Sequence, residues 1–287
     1  MIDFLKYKTF YFLFSAIVIV VGLISIVTGG LKYSIEFTGG TNLEYKLNKN
    51  VATSKLRKSL EKNNVEVAEL RETNNIYTVK TKPIDEKKEV VIRNDIEKEL
   101  STKITVLRVE TVGPVLGKEL LQKTIIASIL SMIGILLYIA YAFRSFNFAM
   151  AAIGALLHDI LVLVGVYSLL GRFFGAEVDT LFVTALLTGM SFSVHDTIII
   201  FDRIREYKKA EGIANFQYHA NKALLETLVR SVNNSMTIVF MLLSLTLLGG
   251  TTIKFFVAAL LIGTLTGAYS SPFIATPLLL LLEKSKK

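Results

Sequence analysis

The sequence predicts a polytopic α-helical membrane protein: six transmembrane helices, with one α+β ferredoxin-like extracytoplasmic domain between helices 1 and 2. Three observations carry this. Hydrophobic residues make up 52% of the 287 residues with only four prolines, and mean hydropathy is +0.52. Apolar stretches long enough to cross a hydrocarbon core recur along the chain. One window, 31–123, mixes charges of both signs and holds no such stretch.

Lys6 and Lys8 precede an apolar run from Thr9 to Val27 that ends in Thr28-Gly29-Gly30. The run is longer than a signal-peptide core and lacks a small-x-small cleavage site. It reads as an uncleaved first span with the N-terminus inside, so that 1–30 is a cytoplasmic N-terminus plus one helix. The window 31–123 then lies outside as a domain of its own. Its order reads strand (33–37, then 42–47), helix (53–63), strand (65–71), strand (76–81), helix (85–100) and strand (104–110). Leu56 and Leu60 stand at i and i+4; Val91, Ile92, Ile96 and Leu100 share one side of the second helix; Ile76 to Thr81 alternate with period two. Helices between strands in this order point to the ferredoxin-like sandwich. Gly39 and Gly40 lack phosphate-loop spacing and suit a tight turn, and Gly113-Pro114 reads as the break before the second span.

Residues 124–287 read as a five-helix bundle: spans at 124–143, 148–170, 180–201, 232–248 and 255–282, the last bending near Pro272 and Pro277. A cytoplasmic loop occupies about 202–231, and within it 214–229 has Phe216, Ala220, Ala223, Leu224 and Leu228 at helical spacing, as in an amphipathic helix on the inner surface. Six spans put both termini in the cytoplasm. Lys6, Lys8, Arg144, Arg203, Arg205, Lys208, Lys209, Lys222, Arg230, Lys284, Lys286 and Lys287 then fall on that side, against Arg172 and Lys254 on the other. The +8 charge is thus topological, and no nucleic-acid partner is expected. Zero cysteine and three scattered histidines argue against a metal or thiol site, and no nucleotide motif or nucleophile–base pair suggests an enzyme or a cofactor.

Polar residues inside the spans are few. His158-Asp159 lies in the third and His195-Asp196 in the fourth. An ionised Asp at that depth costs roughly 2.5–3.5 kcal/mol, so such residues face a bundle interior or a wet cavity and are functional candidates. Adjacent helical residues point about 100° apart, so neither His is expected to bond its own Asp. A protonatable Asp196 can load and release an ion as access alternates, with Arg230 at the end of the fifth span as the candidate cation; Arg230 is also what a cytoplasmic helix end carries anyway. Asp202 and Arg203 read as a structural, interfacial charge cluster. Gly263 and Gly267 form a small-xxx-small pair that allows close helix contact.

Several stretches together resemble the SecF family of the bacterial SecDF protein-export complex, itself akin to half of an RND-type transporter. They are 34–41 (SIEFTGGT), 113–120 (GPVLGKEL), His158-Asp159, 192–206 (FSVHDTIIIFDRIRE), 221–237 and 267–275. His195 stands where the family usually has Asn, and Asn234 where it has Thr. The resemblance implies a subunit that pairs with SecD, associates with the SecYEG translocon, and uses the proton or sodium motive force to help draw unfolded polypeptides out of the cell. In it, Asp196 and Arg230 match the family's ion-conducting pair, with Asp159 in a further intramembrane position. A self-contained RND-like small-molecule transporter and a non-conducting scaffold of the translocon are the alternative readings.

Overall fold

The computed structural model describes residues 3–73, 75–143, 145–212 and 215–284; Ala214, Arg144, Lys286 and Lys287 lie outside them. The chain divides into two compact units, Tyr33–Ile126 and the remainder.

The smaller unit is built on a four-stranded sheet of β1 (Gly40–Leu47), β2 (Val67–Thr73), β3 (Ile76–Thr81) and β4 (Ile104–Val112). Strand order is β2-β3-β1-β4, with every neighbouring pair antiparallel. Alternation puts Leu43, Tyr45, Leu47, Tyr77 and Val79 on one buried face. The helices α3 (Thr53–Lys62) and α4 (Glu86–Leu100) cover it, contributing Leu56, Leu60, Ile92 and Ile96 to the same core. Tyr45 Oη donates to the buried Glu89 carboxylate at 2.8 Å. Burial first, and the Glu89 charge second, push the phenol pKa well above its ordinary value, so it remains a neutral donor.

The reading of 33–37 as a strand is corrected: Ile35–Thr38 form one helical turn, α2. Ser34 accepts the Glu36 N–H at 3.0 Å and caps the turn; Gly39 closes it by donating its N–H to Ile35 O at 2.9 Å. Gly39 and Gly40 have φ of +74° and +140°, and a Cβ on Gly39 would lie 2.7 Å from Pro114 Cα. The capped turn thus takes the place of the expected strand, and the two glycines carry the chain from it into β1.

Among the described residues six helices are long and apolar enough to cross a membrane. They are α1 (Lys8–Gly29), α5 (Pro114–Phe143), α6 (Phe146–Phe173), α7 (Thr180–Glu211), α8 (Phe216–Leu248) and a last one made of α9 (Thr251–Ser270), a π turn at Ser271–Ala275 and α10 (Thr276–Lys284). Pro272, which has no N–H to give, sits in the π turn, and Thr276 Oγ1 bonds Ser271 O at 3.1 Å. The separate amphipathic helix expected at 214–229 is corrected: it and the fifth span are one helix. No Gly or Pro interrupts 216–248, and Phe216, Ala220 and Ala223 pack into the bundle core instead of lying on a membrane surface. The packing of α9 on α7 rests on small residues. A Cβ on Gly263 would lie 3.2 Å from Gly189 Cα, and one on Gly267 3.0 Å from Ser193 Cα.

Candidate functional site

The polar interior of the bundle is organised by α7. Ser193, Asp196 and Thr197 stand at i, i+3 and i+4, so they share a stripe of that helix, and all three are buried.

Asp159 on α6 is 6% exposed. Its carboxylate receives three donors: His158 Nδ1 at 2.8 Å, Ser270 Oγ from α9 at 2.7 Å, and Ser193 Oγ from α7. Nearby, Thr197 Oγ1 lies 2.9 Å from Ser271 Oγ, and Ser271 Oγ donates to Ser193 O at 3.2 Å. The expectation that neither histidine bonds its own Asp is therefore corrected at His158. Adjacent Cα atoms are only about 3.8 Å apart, and two short side chains can turn toward each other even from positions about 100° apart around a helix.

Asp196 is also 6% exposed, but its surroundings are sparse. Ser235 Oγ of α8 donates to it at 3.5 Å, and the buried Ser231, one turn earlier, is a second hydroxyl neighbour, with His195 acting on it electrostatically without a bond. His195 is exposed on the outer surface of α7. Arg230, next to Ser231 in sequence, is exposed too and makes no ion pair with Asp196. Thus the structure gathers Asp159 with His158 and Asp196 with two serines; it brings neither His195 nor Arg230 into direct bonding with a buried carboxylate.

At the far end of α7, Asp202 pairs with Arg205 at 2.6 Å, while Arg203 reaches Glu206 at 2.6 Å and Glu226 of α8 at 2.7 Å. The Arg203–Glu226 pair links α7 to the start of α8, and the other two lie within α7. Among the described residues no three His, Asp or Glu side chains converge as metal ligands.

Residues 92–285 match the family described as protein export membrane protein SecD/SecF, C-terminal, and residues 24–51 match the SecD/SecF GG motif. The protein translocase subunit SecF of Thermobaculum terrenum is 41% identical over 97% of this chain and 93% of that protein. This chain belongs to the SecF family. A second SecF, from Anaerolinea thermophila, is 34% identical over the whole of this chain and 96% of its own length. The crystal structure of SecDF, a translocon-associated membrane protein from Thermus thermophilus, superposes with a TM-score of 0.87 at 30% identity; it covers 99% of this chain, which spans 39% of that one. The SecF assignment makes this a multi-pass membrane protein with a transport role rather than a catalytic one.

Sequence reasoning found both intramembrane acids but missed Ser193, Ser231 and Ser235. A signal was present: Ser193 precedes Asp196 by three residues, and Ser231 and Ser235 are one turn apart on the stripe of α8 that also holds Thr227. Such spacing places hydroxyls on one helix face, but only packing tells that the face meets an acid.

Proposed function

We propose that this SecF-family chain pairs with SecD, works beside the SecYEG translocon, and uses an ion gradient to help draw unfolded polypeptides outward. The observation that carries the coupling is Asp196: a carboxylate buried in a membrane-spanning helix and held by the hydroxyls of Ser231 and Ser235, with no basic side chain bonded to it among the described residues. An acid so placed changes its occupancy at modest structural cost. Each charge moved across the membrane is worth about 2.3 kcal/mol per 100 mV, enough to bias a cycle whose states differ by a few kcal/mol.

The partner's place is supported by polar residues on the outside of spanning helices. His195 on α7 and Asn233 and Asn234 on α8 are exposed in the isolated chain. Facing lipid they would be costly; facing a second bundle they would be paired. In this arrangement Arg230 joins Asp196 when SecD and the ion cycle bring α8 into a different register. The unit at 31–123 is the extracytoplasmic domain, ferredoxin-like in its β-α-β-β-α-β order, and both termini and the 202–231 region are cytoplasmic, in the bacterial cell membrane.

Secretion in cells whose only copy carries Asp196→Asn tests this. Failed secretion with normal membrane level and SecD association supports coupling; normal secretion leaves the scaffold reading in its place.

A further inference from the structure

His158 is the buried titratable group that the proposed Asp196 site does not use. It is 8% exposed, and its two ring nitrogens differ sharply. Nδ1 is engaged by Asp159 at 2.8 Å, and because a carboxylate only accepts, Nδ1 carries a hydrogen. Nε2 is buried without any partner among the described residues. A lone pair left so is uncommon in a folded interior, where buried polar atoms nearly always find a partner. Asp159 does not relax this, since its oxygens accept, from the imidazole on one and from Ser193 and Ser270 on the other, and have no hydrogen to offer Nε2. That donor set suits an ionised carboxylate, and it leaves a cation other than a proton no oxygen free of a hydrogen-bond donor.

We infer that His158 is a proton-binding site separate from Asp196: Nε2 takes up one proton, the Nδ1–H···Asp159 bond stays in place, and the pair passes from net −1 to neutral. The new N–H bond forms on the Nε2 lone pair with a proton from hydronium, whose O–H bond breaks to leave water. The titratable groups around the imidazole are Asp159 on its own helix and Tyr269 from α9, whose ring centroid is 6.4 Å away. Beyond that ring stands Tyr11 of α1, whose carbonyl accepts from Tyr269 Oη at 3.1 Å. From α7 the neutral Ser193 reaches Asp159, while Asp196 on the same helix is engaged by Ser235 of α8. Asp159 is a positioning residue here, fixing the tautomer that presents Nε2 bare. Only the use of this proton in transport rests on the coupling reading; its binding does not.

The chain holds three histidines, His158, His195 and His219, so the imidazole nitrogens can be followed individually. The experiment is a pH titration by 15N-histidine solid-state NMR on the full chain with SecD in lipid vesicles, with His195→Asn and His219→Gln variants for assignment. Expected is a single protonation of His158 at Nε2 between pH 5 and 9. In Asp159→Asn, where the acceptor that fixes the tautomer is changed, the form with hydrogen on Nδ1 and a bare Nε2 should give way to a mixture of tautomers. No change at His158 across that range overturns the inference, as does a tautomer indifferent to Asp159→Asn or a protonation displaced by sodium at constant ionic strength. The readout is proton occupancy, so secretion by Asp196→Asn cells can succeed or fail independently of it.

Discussion

Asp159 and Asp196 are equally buried, yet their neighbours give them different work. Asp159 accepts from three helices' worth of donors, so replacing it by Ala leaves His158, Ser193 and Ser270 without their acceptor in the interior. That should cost about 3 kcal/mol or more, read as a clear drop in the melting temperature of the purified membrane protein. Asp196→Asn should cost under about 1 kcal/mol, because the bond from Ser235 is a long 3.5 Å and the hydroxyl of Ser231 can serve an amide oxygen as it serves a carboxylate. A variant that is stable but inactive is what separates a functional acid from a structural one. Both acids were legible in the sequence because a charge interrupts an apolar run. Their partners were not, since Ser193, Ser231 and Ser235 are small residues of a kind tolerated anywhere on a membrane helix. The bond between His158 and Asp159 was misread because spacing around a helix gives directions for Cβ atoms and not for the ring beyond them.

Among elements, the strands and the two helices of the smaller unit were legible from period alone. Where the reading failed, a local hydrogen bond or the lack of a breaker decided: Ser34 capped a turn out of what looked like strand, and 216–248 ran on as one helix for want of Gly or Pro. The edge strand β2 offers a pH test. Partial burial works against ionisation of Glu69, but Lys80 at 3.3 Å and Arg71 at 2.5 Å outweigh it and hold the carboxyl below its ordinary range. A depressed folded pKa gives stability that is present above the unfolded value, about 4.3, and lost as pH falls through the folded one. Glu69→Gln should therefore speed amide exchange in β2 and β3 at pH 7, by an amount worth under about 1 kcal/mol for a partly exposed group, and make no difference once the pH lies below the folded value. In the bundle, Gly267→Leu should force α9 away from Ser193, where even a Cβ would approach to 3.0 Å, and lower stability by about 1–3 kcal/mol in a thermal melt.

At the scale of the whole molecule the hydropathy of each span was legible, but which side of it meets protein was not, because lipid and a neighbouring bundle both accept apolar side chains. Exposed polar residues break that symmetry. His195, Asn233 and Asn234 stand on the outside of α7 and α8, whereas the open side of α1 carries Phe10, Leu13, Ile17 and Ile24. If the first set faces SecD and the second faces lipid, the two should differ in cross-linking to it. The absence of cysteine makes this clean, since each introduced thiol is the only one in the chain. Asn234→Cys should yield a disulfide or short maleimide-bridged product with matching single cysteines on SecD, in native membranes and under oxidation, while Ile17→Cys at similar expression should yield little. Equal yields from both, or product from Ile17→Cys alone, would remove the case for a polar seam. The seam matters because it lies beside Asp196: if SecD closes over it, the proposed ion path runs between two chains.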